Sequence, residues 1–111
     1  MNYEVIILES AKEFLDSLDV KLKAKSFRAI QLLCEFGPFI SEPHSKKVTG
    51  VDSLFELRVI QGSNICRFFY FHDKGKVYVI ISGYVKKDQK LKKSEIDKAL
   101  KIFSVYKGDK K

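Results

Sequence analysis

Tryptophan is absent from this 111-residue chain, and cysteine, proline and methionine number only two, two and one. Cys34 and Cys66 stand far apart with no CxxC spacing and no histidine nearby, so neither a disulfide framework nor a zinc site is expected. Cys34, at an apolar position of a helical stretch, reads as a small core residue. Six glycines and two prolines are too few for collagen-like or low-complexity organisation. No apolar run approaches the roughly 18 residues that a bilayer crossing needs. Met1, Asn2, Tyr3 and Glu4 offer no basic segment of the kind that opens a signal peptide. A cytoplasmic protein without membrane contact is the expectation. Glycine-rich phosphate loops and a GxSxG elbow are missing too. His44 and His72 fall in separate loops and the acids are scattered, so no metal, no cofactor and no paired-carboxylate chemistry is expected.

What is present is a core and a lopsided charge. Hydrophobic residues make up 45%, and nine Phe with five Tyr can anchor one folded domain over residues 1–111. The net charge is +7, yet residues 1–50 hold seven basic and seven acidic side chains. The whole excess therefore lies in residues 51–111, with fourteen basic and seven acidic. Its densest part runs from Tyr84 to Lys93, where Lys86, Lys87, Lys90, Lys92 and Lys93 surround the single Asp88. Such a field favours a polyanion, nucleic acid first and an acidic protein second. A solvated lysine-rich connector is the plain alternative.

Residues 3–8 read as a strand. Ser10 and Glu13 have capping-box spacing, opening a short helix that buries Ala11, Phe14, Leu15 and Leu18. Asp19 caps a longer helix to about Phe36, with Val20, Ala24, Phe27, Ile30 and Cys34 as its stripe, widened by Ala29, Leu33 and Phe36. Gly37-Pro38 stops it. Residues 38–53 read as a surface loop. Three strands follow, Leu54–Val59, Ile65–Phe71 and Val77–Tyr84, joined by turns at 61–64 and 72–75. Ser94 and Glu95 open a last helix with Ile96, Ala99, Leu100, Phe103 and Tyr106 on one face. The sum is a small α+β domain: a curved, mostly antiparallel sheet of about four strands, two N-terminal helices and one C-terminal helix. Packing all helices on one face would leave the other to Glu56 and Arg58.

Four blocks of the sequence are recognisable together: Leu54-Phe55-Glu56-Leu57-Arg58, Arg67-Phe68-Phe69-Tyr70-Phe71, Gly83-Tyr84-Val85-Lys86-Lys87-Asp88-Gln89-Lys90, and Glu95-Ile96 followed by Ala99-Leu100. They resemble the phage-derived HigB-like toxins of the RelE/ParE superfamily, whose blocks read approximately L-W-E-L-R, R-V-F-Y-F, G-F-V-K-K-T-Q-K and E-I-x-x-A-L. Pro43, His44, Lys46 and Lys47 also fit that family's P-x-x-K-K stretch. The likeness covers most of residues 40–101 in order. It departs at Phe55 for Trp, at Asp88 for Thr, and at Ser82, where the family commonly has His.

The resemblance implies a RelE-like fold and the toxin of a type II toxin–antitoxin pair, neutralised by a small helix-turn-helix antitoxin resembling HigA. It further implies metal-free cutting of mRNA on the ribosome, with the RNA 2′-hydroxyl attacking the adjacent phosphate. Arg67 and Arg58 match basic sheet positions that would hold this phosphate. Lys86 and Lys87 match the family's lysine pair; Lys87 is assigned to the transition state, Lys86 to the RNA backbone. His44 can serve as base or acid near neutral pH, and Lys47 is the second candidate in its loop. Lys46, Lys90, Lys92, Lys93 and Tyr84 complete the RNA-binding set. Plainer roles stand beside these: Arg58 paired with Glu56 or Asp52, Arg67 packing its stem beside Ile65 and Phe69, His44 and His72 as loop residues, and Phe68–Phe71 as core. A gyrase-poisoning toxin resembling ParE and an inactive RNA-binding domain are the competing functions.

Overall fold

The computed structural model describes residues 2–40, 44–51, 53–86 and 92–109, with the side chains of Lys86 and Asp109 left aside. Strand β1 (Glu4–Ile7) leads to helices α1 (Glu9–Ser17) and α2 (Val20–Phe36). Strands β2 (Ser45–Lys47), β3 (Phe55–Gln61), β4 (Asn64–His72) and β5 (Val77–Lys86) follow, then helix α3 (Lys93–Asp109). The five strands form one sheet in the order β1-β5-β4-β3-β2, with β1 parallel to β5 and every other pairing antiparallel.

The α+β class and the mostly antiparallel sheet agree with the sequence, but three details differ. The sheet has five strands, because Ser45–Lys47, inside the expected loop, pairs with Phe55–Leu57 as β2. The helices also occupy both faces. α1 and α2 cover Leu57, Val59, Cys66, Phe68, Tyr70 and Ile80, whereas Ala99 and the apolar stripe of α3 cover Phe69, Phe71, Val79 and Ile81. This explains the unbroken run Phe68–Phe71: a central strand covered on both faces needs apolar side chains at both parities.

The third difference is the buried face of α2. Leu22, Ser26, Ala29, Ile30 and Leu33 are buried, whereas Val20 is 85% and Phe27 46% exposed, and Ala24 and Phe36 also face solvent. Ser26 reads as a polar, solvent-facing position, yet its hydroxyl donates to the Leu22 carbonyl (2.8 Å) and so tolerates burial, which turns the buried face away from the expected stripe. Helix ends follow the same pattern of partial agreement. Asp19 does cap α2, accepting from the Leu22 N–H at 2.9 Å, and Gly37 closes it at φ 51°. At α1 the N-cap is Leu8, and Ser10 lies inside the helix; Ser94 likewise falls within the first turn of α3.

One irregularity decides what the upper part of β5 displays. Phe69 pairs with Ser82 but Tyr70 pairs with Ile80, so Ile81 is an extra residue on β5. A bulge of this kind reverses the alternation beyond it. Val79 and Ile81 face α3, and past the bulge Ser82 and Tyr84 take that same face while Gly83 faces Phe14 and Phe68.

Candidate nucleic-acid interface

Two cross-strand rows run over the α3 side of the sheet. Lys46, Glu56, Phe69 and Ser82 are consecutive partners in one, and Arg58, Arg67 and Tyr84 in the next. Each row draws on β3, β4 and β5, so residues far apart in sequence meet within two pleats.

Arg67 is 3% exposed and donates from Nη1 to Oε1 of Glu56, itself 2% exposed. Arg58 is half-buried, with Nε 3.5 Å from that same oxygen. Glu56 thus joins both arginines. Arg58 Nε, Arg67 Nε and Ser82 Oγ are buried without a hydrogen-bond partner among the described residues. The Tyr84 ring stacks on Phe69, with centroids 5.9 Å apart and planes inclined by 25°. Its oxygen accepts the Lys92 N–H at 3.3 Å, leaving the hydroxyl proton for another acceptor. Burial pushes the Tyr84 phenol above its ordinary range, partly offset by that bond and by Arg67, so it stays protonated at neutral pH.

The remaining sequence candidates divide by position. Lys46 is exposed and stands opposite Glu56, on the arginine side. Lys47 stands opposite Phe55, so strand alternation turns it toward the α2 side. His44 is exposed at the sheet margin, where its carbonyl accepts the Arg58 N–H at 2.8 Å. It lines a cleft of about 190 Å³ on the α2 side of the sheet margin, with Lys25, Arg28, Leu32, Arg58 and Ile60. Lys86 ends β5 opposite Ile65. Lys92 is exposed beside Tyr84, and Lys93 opens α3 and pairs with Asp97 at 3.5 Å. Lys87 and Lys90 lie outside the described residues, as does Asp52, one of the partners considered for Arg58.

His72 bonds the Gly75 carbonyl through Nε2 at 2.7 Å and packs on Tyr78, consistent with a turn role. Tyr106 packs edge-on against Phe71 and bonds Asp73. Among the described residues, no cluster of three or more His, Cys, Asp or Glu could hold a metal ion. No described helix is long and apolar enough to cross a membrane. Glu56 and Ser82 join the site although neither is among the residues expected there from sequence. Glu56 carried a faint signal, an acid alternating with Arg58 on one strand face; Ser82 carried one only through the resemblance, as the position where the family commonly has His, and the bulge is what turns it to this face.

The fold is that of RelE toxins. A mutant of the E. coli toxin RelE in its free state superposes with a TM-score of 0.65 at 21% identity, over 91% of this chain and 97% of that one. RelE in the intact E. coli RelBE toxin–antitoxin complex gives 0.59 at 19%, over 79% and 99%. The archaeal RelE–RelB complex from Pyrococcus horikoshii OT3 gives 0.54 at 24%, over 75% and 93%. No curated protein matches the sequence. The chain belongs to the family of phage-derived Gp49-like proteins, whose model matches residues 13–104, and it has the fold that RelE toxins share.

Proposed function

We propose that this protein is the HigB-like toxin of a type II toxin–antitoxin pair and acts as a metal-independent, ribosome-dependent mRNA endonuclease. The observation that carries the reading is the registered pair Arg58 and Arg67, whose buried Nε–H groups have no hydrogen-bond partner among the described residues, on a face that also carries Lys46. A phosphate passing into a pentacoordinate transition state gains negative charge, and preorganised guanidinium donors stabilise it there. The RNA 2′-hydroxyl attacks the adjacent phosphorus and gives its proton to a base. The bond to the 5′-oxygen breaks, that oxygen takes up a proton, and a 2′,3′-cyclic phosphate remains. Arg58 and Arg67 hold the non-bridging oxygens. His44, at the margin beside Arg58, is the imidazole available for proton transfer. Tyr84, kept protonated, presents a ring for a base and a proton for an oxygen. Lys46, Lys47, Lys86, Lys87, Lys90, Lys92 and Lys93 supply the surrounding field.

The similar folds found in complexes with RelB support an antitoxin partner, and we assign that role to a small helix-turn-helix protein of the HigA kind. The test is induction of the chain without its partner, followed by primer extension on cellular mRNA. Cuts within translated frames, persistence in EDTA and 2′,3′-cyclic or 3′-phosphate ends are expected. Intact transcripts accompanied by DNA breaks would instead assign the protein to gyrase poisoning, and neither lesion would leave an inactive RNA-binding domain.

A further inference from the structure

Glu56 takes no part in the chemistry proposed above, yet it sits between the two residues that carry it. Arg58 and Arg67 are direct cross-strand partners, and like charges in that position repel. A buried guanidinium such as Arg67 is also strongly disfavoured without a counter-charge. One oxygen, Glu56 Oε1, meets both needs: it accepts from Arg67 Nη1 and lies 3.5 Å from Arg58 Nε.

The carboxylate satisfies the pair only in part. Arg58 Nε, Arg67 Nε and Ser82 Oγ remain buried and unbonded among the described residues, although Ser82 lies in the same cross-strand row as Glu56. Buried donors left unmet are costly, and two of these three belong to the charged guanidinium groups themselves. One carboxylate oxygen leaves that donor set incompletely met. A phosphodiester offers two non-bridging oxygens, which suit the forked geometry of a guanidinium.

We propose that Glu56 is the positioning residue of the arginine pair and its resident counter-anion. It holds Arg58 and Arg67 in register before RNA arrives, and an RNA phosphate then takes up their Nε–H groups, with the Ser82 hydroxyl as a further donor. The identity of that phosphate rests on the endonuclease reading; the exchange of one anion for another does not.

Glu56→Gln keeps the shape and removes the competing charge. Binding is read by titrating the purified chain with an RNA oligonucleotide made uncleavable by 2′-deoxy substitution, and cutting is read on mRNA in a translation extract. Binding should tighten about tenfold, the scale of one charge-assisted hydrogen bond, while cutting falls at least about tenfold. Opposite movement of the two readings supports the proposal. Unchanged binding, or a parallel loss of both in a folded variant, overturns it. Should Glu56→Gln fail to fold, Glu56→Asp carries the test, because it keeps the charge but withdraws it by one methylene. Affinity within about threefold of the parent with reduced cutting then supports positioning, and parent-like cutting refutes it. If the parent chain cuts no mRNA, the endonuclease reading falls. Tighter binding of inorganic phosphate by Glu56→Gln, followed through the Arg58 and Arg67 Nε–H resonances, would still uphold the anion exchange.

Discussion

Arg58 and Arg67 face each other across β3 and β4, but their side chains are 21% and 4% exposed. Both touch one oxygen of Glu56, so the two are alike in charge and unlike in what their removal does to the fold. This asymmetry allows activity and stability to be separated by mutation.

Arg58→Ala should remove activity with little loss of stability. Arg67 still neutralises Glu56 in this variant, and a partly exposed ion pair contributes about 0–1 kcal/mol. Loss of one donor at a developing charge costs on the order of 100–1,000-fold in rate. Parallel urea unfolding and mRNA cleavage measurements check both halves, and parent-like cleavage would remove Arg58 from the site.

Arg67→Ala should fail in both respects. It leaves the Glu56 carboxylate buried beside a single half-buried partner, and breaking a buried pair costs roughly 3–5 kcal/mol. The double replacement Glu56→Leu with Arg67→Met should recover most of the stability, since apolar substitutes for a buried pair are often neutral or stabilising. Cleavage should not return. Recovery of cleavage in the double variant would show that the pair serves only the fold.

Gly83→Ala should destabilise the protein by about 1–3 kcal/mol. A Cβ at Gly83 would lie 2.6 Å from Phe14 and 2.9 Å from Phe68, so α1 would be pushed off β5. Gly108→Ala, inside α3 where nothing lies within 4 Å, is the matched control and should leave the unfolding midpoint unchanged or raise it slightly.

Stability should decline in alkali between about pH 9 and 11. Burial pushes the Cys66 thiol up to about 11 from an ordinary 9.0, partly offset by its bond with Ser26. Above pH 9 the unfolded thiol ionises while the folded one keeps its proton, so unfolding releases a proton and is favoured as pH rises. The Cys66 contribution is therefore complete below pH 9 and is lost as pH climbs through 11, on the order of 2 kcal/mol. Tyr70, Tyr78 and Tyr84, all raised by burial, act in the same direction above pH 10. Urea unfolding across this window should show a shallower slope for Cys66→Ala; an unchanged slope would place the effect on the tyrosines alone.

The sequence alone determined the order of all elements except β2, the three consecutive strands, the Asp19 cap and Gly37 stop of α2, the apolar face of α3 and the family resemblance. These depend on local spacing: period-2 and near-3.6 repeats, a carboxylate before a helix, a glycine able to take positive φ. Whether a helix covers one face of a sheet or both is not local. The run Phe68–Phe71 is equally apolar in either arrangement, and only the docking of α3 against Phe69 and Phe71 decides it. The buried face of α2 is hidden for a related reason, since burial of Ser26 depends on a bond to the Leu22 carbonyl that composition does not reveal. At the site, Arg58 and Arg67 stood out individually as basic residues in strands. Their opposition, and the passage of one carboxylate between them, follow from the β3–β4 register. Ser82 and Tyr84 join them only because one extra residue, Ile81, reverses the pleat of β5. Charge type is written residue by residue; which charges share a face depends on register, and register is a property of strand pairs.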